Sequence, residues 1–283
     1  MNNLLVYLVS GLALAGSFAL IGSGIVVVYR VTHVLNFAQG TFAVFGAFFS
    51  YSLSSMLPGG LGGVVSVVAC ALVGLVVGVA AVGKRGTPPM ISLLVTLGMS
   101  MVAAAVIVAV WGQNPVSPPG LTGTMRILGV DVEVQRLLVL VVALVTFALL
   151  GVFFSRTDLG RGLSAAASNP LAARLVGIDT RAMGLLAFVI AGALGGLAGV
   201  LIAPTTAISV SSDLPLVLSG LAAAIFGGLR SPWMTFLGAV VLGVTGQLVA
   251  GYANGSYQTQ IALVMMLVIM IVRARSLNAE EAK

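Results

Sequence analysis

Charge is what this chain has least of: Lys, Arg, Asp and Glu make up 7% of its 283 residues, against 59% hydrophobic residues and a mean hydropathy of +1.17. A water-soluble domain of this length could not cover its surface with so few charges, so the composition predicts an integral membrane protein. Strict strand alternation is absent. The apolar runs reach roughly 20 residues, the length at which a helix crosses about 30 Å of hydrocarbon. The spans are therefore expected to be helices rather than barrel strands. The net charge of +6 does not point to nucleic acid, because the basic residues sit in short loops between apolar runs, as membrane orientation requires.

Histidine and cysteine are as scarce as charge. The single Cys70 lies inside an apolar run, which excludes an intrachain disulfide and any cysteine-based metal cluster. With His33 the one histidine and the seven acidic residues expected in loops or the tail, no metal site and no acid–base constellation can be assembled. A serine nucleophile would lack a base, since Lys84 and Lys283 are poorly placed to serve, so no catalytic residue is predicted and an intramembrane hydrolase is disfavoured. Gly78-Val-Ala-Ala-Val-Gly83-Lys84-Arg85 resembles a phosphate-binding loop, but Arg85 stands where Ser or Thr is needed and the stretch ends an apolar run. The amino terminus also lacks the basic residues of a secretory leader, so the first run reads as a permanent span.

What the chain does have is a series of apolar segments, at about 4–28, 34–56, 61–82, 90–111, 137–154, 183–203, 214–228, 233–250 and 257–272. The seventh and ninth are short enough to be tilted spans, halves of broken helices or re-entrant pieces. If each crosses once, Arg30, Lys84, Arg85, Arg156, Arg161, Arg174, Arg181, Arg230, Arg273, Arg275 and Lys283 share one side, leaving Arg126 and Arg136 on the other. That asymmetry marks the first side as cytosolic, with the amino terminus outside and the carboxyl terminus inside. The expected architecture is an all-α polytopic bundle of about 8–10 transmembrane or re-entrant helices. It forms a single domain over residues 1–283, with a cytoplasmic loop at about 155–182 and a short cytoplasmic tail over 273–283. The 112–136 loop, too broken by Pro115, Pro118 and Pro119 to be helix at its start and without an apolar period of its own, is expected to cap the outer face. The small residues Ala191, Gly192, Gly195, Gly196 and Gly199 predict close helix packing, or else flat faces that slide or line a pathway.

The longest polar stretch between apolar runs, Ser155–Arg181, holds four arginines. Within it Asn169 and Pro170 form a helix start: Asn can cap the first amides, and Pro at the first helical position gives up an N–H that would be unpaired anyway. Leu171, Leu175 and Ile178 then share a face, Arg174 and Asp179 lie away from it, and Gly177 stands near the end. Such a helix either rests on lipid headgroups or docks into a cleft on a partner protein.

These residues carry a resemblance. Gly160-Arg-Gly-Leu-Ser-Ala-Ala-Ala-Ser-Asn-Pro-Leu-Ala-Ala-Arg-Leu-Val-Gly-Ile-Asp179, followed by Ala187–Val200, is similar to the coupling loop and next span of branched-chain amino acid ABC importer permeases of the LivH/LivM type. Leu35-Asn-Phe-Ala-Gln-Gly40, Thr96-Leu-Gly-Met-Ser100, Trp111–Pro115, Ala223–Leu229 and Leu237–Gly243 resemble further elements of that family, the LivH half being the nearer likeness. Gln39, Thr41, Ser219 and Arg230 depart from it, standing where a histidine, an acidic residue, a lysine and a glycine are usual.

The resemblance implies a permease subunit of the bacterial inner membrane that forms half of a pathway for branched-chain or related small amino acids. It implies a second, LivM-like permease, two cytosolic ABC ATPase subunits that use ATP and Mg²⁺, and an extracytoplasmic substrate-binding protein. Lipid surrounds the chain, which itself binds no cofactor, metal or nucleic acid. Asn169, Pro170, Leu171, Arg174, Leu175 and Gly177 would form the ATPase-coupling helix. Asn36, Gln39 and Thr41 open the second apolar run, where they either offer amides to a carboxylate or water, or cap and satisfy a broken helix. Thr96, Ser100, Ser219 and Gln247 are further candidates to line the pathway. Import of urea, short amides or another small solute is the nearest alternative, and a passive channel the next.

Overall fold

The computed structural model describes residues 2–57, 60–82, 89–127, 130–229 and 231–252, with isolated positions between 260 and 268. Six helices among the described residues are long and apolar enough to cross a membrane: α1 (Asn2–Thr32), α3 (Leu61–Val82), α4 (Pro89–Trp111), α5 (Val134–Arg156), α8 (Thr180–Ile202) and α10 (Pro232–Tyr252). Between them lie two shorter apolar helices, α2 (Gln39–Ser54) and α9 (Asp213–Phe226), and two polar ones, α6 (Asp158–Ser168) and α7 (Pro170–Leu175). The apolar run expected at 257–272 lies, apart from isolated positions, outside the described residues, as do Lys84, Arg85, Arg230 and the tail.

The protein is an all-α polytopic membrane protein, with two departures from the expected elements. The first is at 34–56, where helix begins only at Gln39. α1 runs four residues past its expected end and stops at His33, whose φ of 57° lies in the left-handed region and breaks the ladder. The chain then crosses residues 33–38 as irregular backbone before α2 starts. At 16 residues α2 is about 24 Å long and at 14 residues α9 is about 21 Å, both short of the ~30 Å hydrocarbon layer.

The second departure is in the 112–136 loop, which carries a small antiparallel hairpin, β1 (Thr124–Ile127) and β2 (Val130–Glu133), with Arg126 opposite Asp131. The loop is fixed to the rest of the fold: Val116 and Ile208 exchange backbone hydrogen bonds of 2.8 and 3.0 Å, and Gln135 Nε2 donates to the Leu201 carbonyl at 3.2 Å.

α1 and α8 form the centre. α1 packs on α10, α8, α9 and α5, and α8 on α3, α1 and α2. In their most apolar stretches 56% and 61% of residues are buried, against 11% for α4 and 17% for α5, which places the last two at the perimeter. The small-residue stripe of α8 makes its packing possible: a Cβ on Gly192 would overlap the Cys70 carbonyl of α3, and one on Gly199 would overlap the Ala43 carbonyl of α2. Without a hydrophobic driving force between helices in lipid, such backbone approach is what van der Waals packing needs.

The hairpin and the α6–α7 pair lie at opposite ends of α5. Arg126 and Arg136 mark the hairpin end; Arg30, Arg156, Arg161, Arg174 and Arg181 cluster towards the other.

Candidate functional site

Among the described residues, three places collect polar side chains of this apolar chain. The first is the α6–α7 pair. Thr157 caps α6 by accepting from the Gly160 amide, and Gly160, Leu163 and Ala166 turn inward at helical spacing. α6 extends the ordered structure one helix further back than the Asn169 start signal indicates.

At that signal Asn169 Oδ1 accepts from the Leu171 and Ala172 amides, both at 3.0 Å, and Pro170 takes the first helical position. The far end closes on Gly177 at φ +86°: the Ile178 amide donates to the Ala173 carbonyl at 2.9 Å, and the Gly177 amide to the Arg174 carbonyl at 3.1 Å. These two bonds are the glycine-ended closure that satisfies the last carbonyls of a helix. A six-residue helix has little stability of its own, so the two caps hold it. Its inward face is Ala173, while Leu171, Leu175 and Val176 stand 67%, 82% and 76% exposed. The exposed apolar face therefore includes Val176, and Ile178 is half-buried as it turns into the α8 junction. Arg174 Nε donates to Thr180 Oγ1 at 3.0 Å, tying the helix to the start of α8, where Asp179 caps the Arg181 and Ala182 amides.

The second place is the break before α2. Asn36 Oδ1 accepts from the Ala38 amide at 3.1 Å, Asn36 Nδ2 donates to Gln39 Oε1 at 3.3 Å, and Gln39 Nε2 donates to the Ala191 carbonyl at 2.9 Å, halfway along α8. Thr96 Oγ1 of α4 accepts from the Phe37 amide at 3.4 Å. Irregular backbone at membrane depth must find its hydrogen bonds within the protein, and these side chains supply them. Asn36, Gln39, Thr41 and Thr96 are all buried, and none of them lines either of the two larger cavities.

Thr41 Oγ1 donates to Asp213 Oδ2 at 2.9 Å, joining the first turns of α2 and α9. Asp213, expected in a loop, instead begins α9 and packs against Gly40. Its charge at the first turn of α2 suits the positive end of the helix dipole.

The third place is a cavity of about 390 Å³ at the hairpin end, between α1, α5, α9 and α10. Ser219 and Gln247 line it, and Ser219 also donates to the Pro215 carbonyl at 2.9 Å. Ser100 is elsewhere, half-buried on α4 and bonded to its own turn at Leu97. Sequence reasoning missed Ser10, Ser17 and Arg136, which share the wall; Ser10 and Ser17 stand two helical turns apart on one face of α1, a period the sequence displays. Arg136 Nε is 2.8 Å from Glu133 Oε2, and its Nη1 donates to Ser10 Oγ. A larger cavity of about 590 Å³ lies at the opposite end, beneath α7, with His33, Arg174, Ile178 and Arg181 in its wall. Among the described residues no three His, Cys, Asp or Glu converge as metal ligands.

Comparison with known proteins places this geometry. Residues 7–273 match the family model described as "Branched-chain amino acid transport system / permease component". The chain is 24% identical over 281 residues to the high-affinity branched-chain amino acid transport system permease protein LivH of Salmonella typhimurium, covering 93% of this chain and 91% of that one. To the corresponding protein BraD of Pseudomonas aeruginosa it is 27% identical over 287 residues, covering 94% and 92%. The nucleoside ABC transporter permease protein NupB of Lactococcus lactis matches over 158 residues at 27% identity, half of this chain and 43% of that protein. Among solved structures, a chain of PsaBC from Streptococcus pneumoniae in complex with Fab superposes with a TM-score of 0.54 at 14% identity, covering 95% of this chain and 91% of that one, which shows a shared fold.

Proposed function

We propose, because this chain belongs to the family of branched-chain amino acid transport system permease components, that it forms half of an ATP-driven import pathway for branched-chain or related small amino acids. On this reading two cytosolic ATPases, binding ATP and Mg²⁺, press on α7, a second permease completes the pathway, and an external binding protein delivers substrate. The α6–α7 end faces the cytosol, as the cluster of arginines there requires in a bacterial inner membrane. The chain is a transport subunit rather than an enzyme, and its energy comes from outside itself.

The observation that carries this reading is the doubly capped α7 with Leu171, Leu175 and Val176 exposed beside Arg174. A helix this short, fixed at both ends and tied to α8 through Arg174 and Thr180, transmits a push instead of absorbing it. Fully burying a Leu or Val contributes roughly 1.5–3 kcal/mol, so three such side chains in a partner cleft supply a firm hold. Movement of α7 then biases which end of the permease is open.

The test is uptake of labelled leucine into proteoliposomes holding the importer purified as an assembly. Uptake should require ATP on the ATPase side and be competed by isoleucine and valine. Leu175→Asp should lower it at least about tenfold, the consequence of losing roughly 1.4 kcal/mol or more of docking energy. Uptake that persists both without ATP and in Leu175→Asp would establish a passive channel instead, ATP-dependent uptake that survives Leu175→Asp would remove the role given to α7, and no uptake of leucine, isoleucine or valine would remove the substrate assignment.

A further inference from the structure

The cavity at the hairpin end has a composition of two halves. Leu14, Phe18 and Val139 give it an apolar wall; Ser17, Ser219 and Gln247 give it a polar one; and Arg136 is the charged group that lines it. Its volume of about 390 Å³ falls in the range of small-molecule sites, ~300–1,000 Å³.

Two features set it apart from a packing defect. Ser17 is one of the lining residues, is 0% exposed, and its Oγ has no hydrogen-bond partner among the described residues. A buried hydroxyl left unpaired costs about 1–3 kcal/mol, a cost that an occupant able to hydrogen-bond removes. Arg136 is held in place by Glu133 through Nε and by Ser10 through Nη1, while Nη2 makes no hydrogen bond among the described residues. Such a braced guanidinium loses little freedom when it takes a carboxylate.

We propose that this cavity is a binding subsite, within the single permease chain, for a zwitterionic aliphatic amino acid. Its carboxylate would lie on Arg136, its side chain against Leu14 and Phe18, and its ammonium among the oxygens of Ser17, Ser219 and Gln247. The inference rests on the transport reading and adds to it a location and a selection rule. Urea, or an amide without a carboxylate, offers Arg136 no second carboxylate beside that of Glu133, and that second carboxylate distinguishes a substrate here.

The experiment is substrate protection of a cysteine placed in the exposed rim. Full-length Ser211→Cys protein in detergent is treated with a membrane-impermeant maleimide; native Cys70 is fully buried, and protein without the new cysteine gives the background. Leucine at about 10 mM should slow labelling about threefold or more, as a millimolar site would, while leucinamide and urea should not. Protection should vanish in Ser211→Cys/Arg136→Gln, return in part with Arg136→Lys, and weaken in Ser211→Cys/Ser17→Val.

If Ser211→Cys elutes as aggregate, Thr206→Cys, exposed in the same wall and given no part in binding, is the alternative probe, read in the same way. No protection by leucine, equal protection by leucinamide, or protection that survives Arg136→Gln overturns the subsite. Leucine uptake by the intact assembly without protection here leaves the transport reading in place and removes only this inference; the absence of ATP-dependent uptake removes the reading itself.

Discussion

Gln39 shows what one side chain can do at membrane depth. Its amide bridges the break before α2, accepting from Asn36 and donating to the Ala191 carbonyl at 2.9 Å, and it is 0% exposed. Gln39→Leu keeps the volume and strands the Asn36 donor, so the variant should lose about 1–3 kcal/mol, seen as a lower midpoint in thermal unfolding of the detergent-solubilised protein. His33 presents the opposite case, a side chain where none is favoured. At φ 57° a Cβ crowds the backbone, and His33→Gly should raise the same midpoint by relieving about 1 kcal/mol of strain, less the added freedom of glycine in the unfolded chain. Asn169, Pro170 and Gly177 were readable directly from sequence because capping depends on residues two to five apart. The bond from Gln39 to the Ala191 carbonyl was not, because Ala191 lies 152 residues away.

At the scale of elements, α8 is the one on which packing turns. The glycine stripe that predicts close approach is there used against two different helices, α3 at Gly192 and α2 at Gly199. Gly199→Leu places a branched side chain where the Ala43 backbone now lies. It should cost at least about 1–3 kcal/mol of overpacking and lower the yield of monodisperse protein on gel filtration, whereas Gly98→Leu on the open face of α4 should leave that yield unchanged. The long spans were legible from hydropathy to within a few residues at most ends. The start of α2 was not fixed: the run from 34 to 56 holds a helix that begins only at Gln39, since hydropathy measures transfer into lipid and says nothing about whether the backbone is helical. The hairpin left a faint signal in the β-branched residues around Gly129, too short to outweigh the prolines before it.

For the whole molecule, orientation is the property that function depends on. On the proposed orientation, with the hairpin outside and α7 inside, a Leu121→Cys variant should react with an impermeant thiol reagent in intact cells, and Leu171→Cys should react only after permeabilisation. The reverse pattern would invert the direction inferred from the arginines. Both residues are exposed, at 52% and 67%, so reaction reports the side of the membrane and not burial.

By itself the sequence determined that this is a helical membrane protein, which loop holds the capped short helix, and which family it resembles. Those properties follow from composition, from periods of 3.6 residues and from caps closed over one helical turn, all local in the chain. The tertiary structure alone decided that Asn36, Gln39 and Thr96 hydrogen-bond around the break before α2 while Thr41 bonds Asp213 of α9, and that Ser17, Arg136, Ser219 and Gln247, drawn from four helices, meet around one cavity. In a chain this uniformly apolar, the helix faces differ little in hydropathy. Which polar residue meets a carbonyl and which meets open space is therefore set by how closely the backbones approach one another.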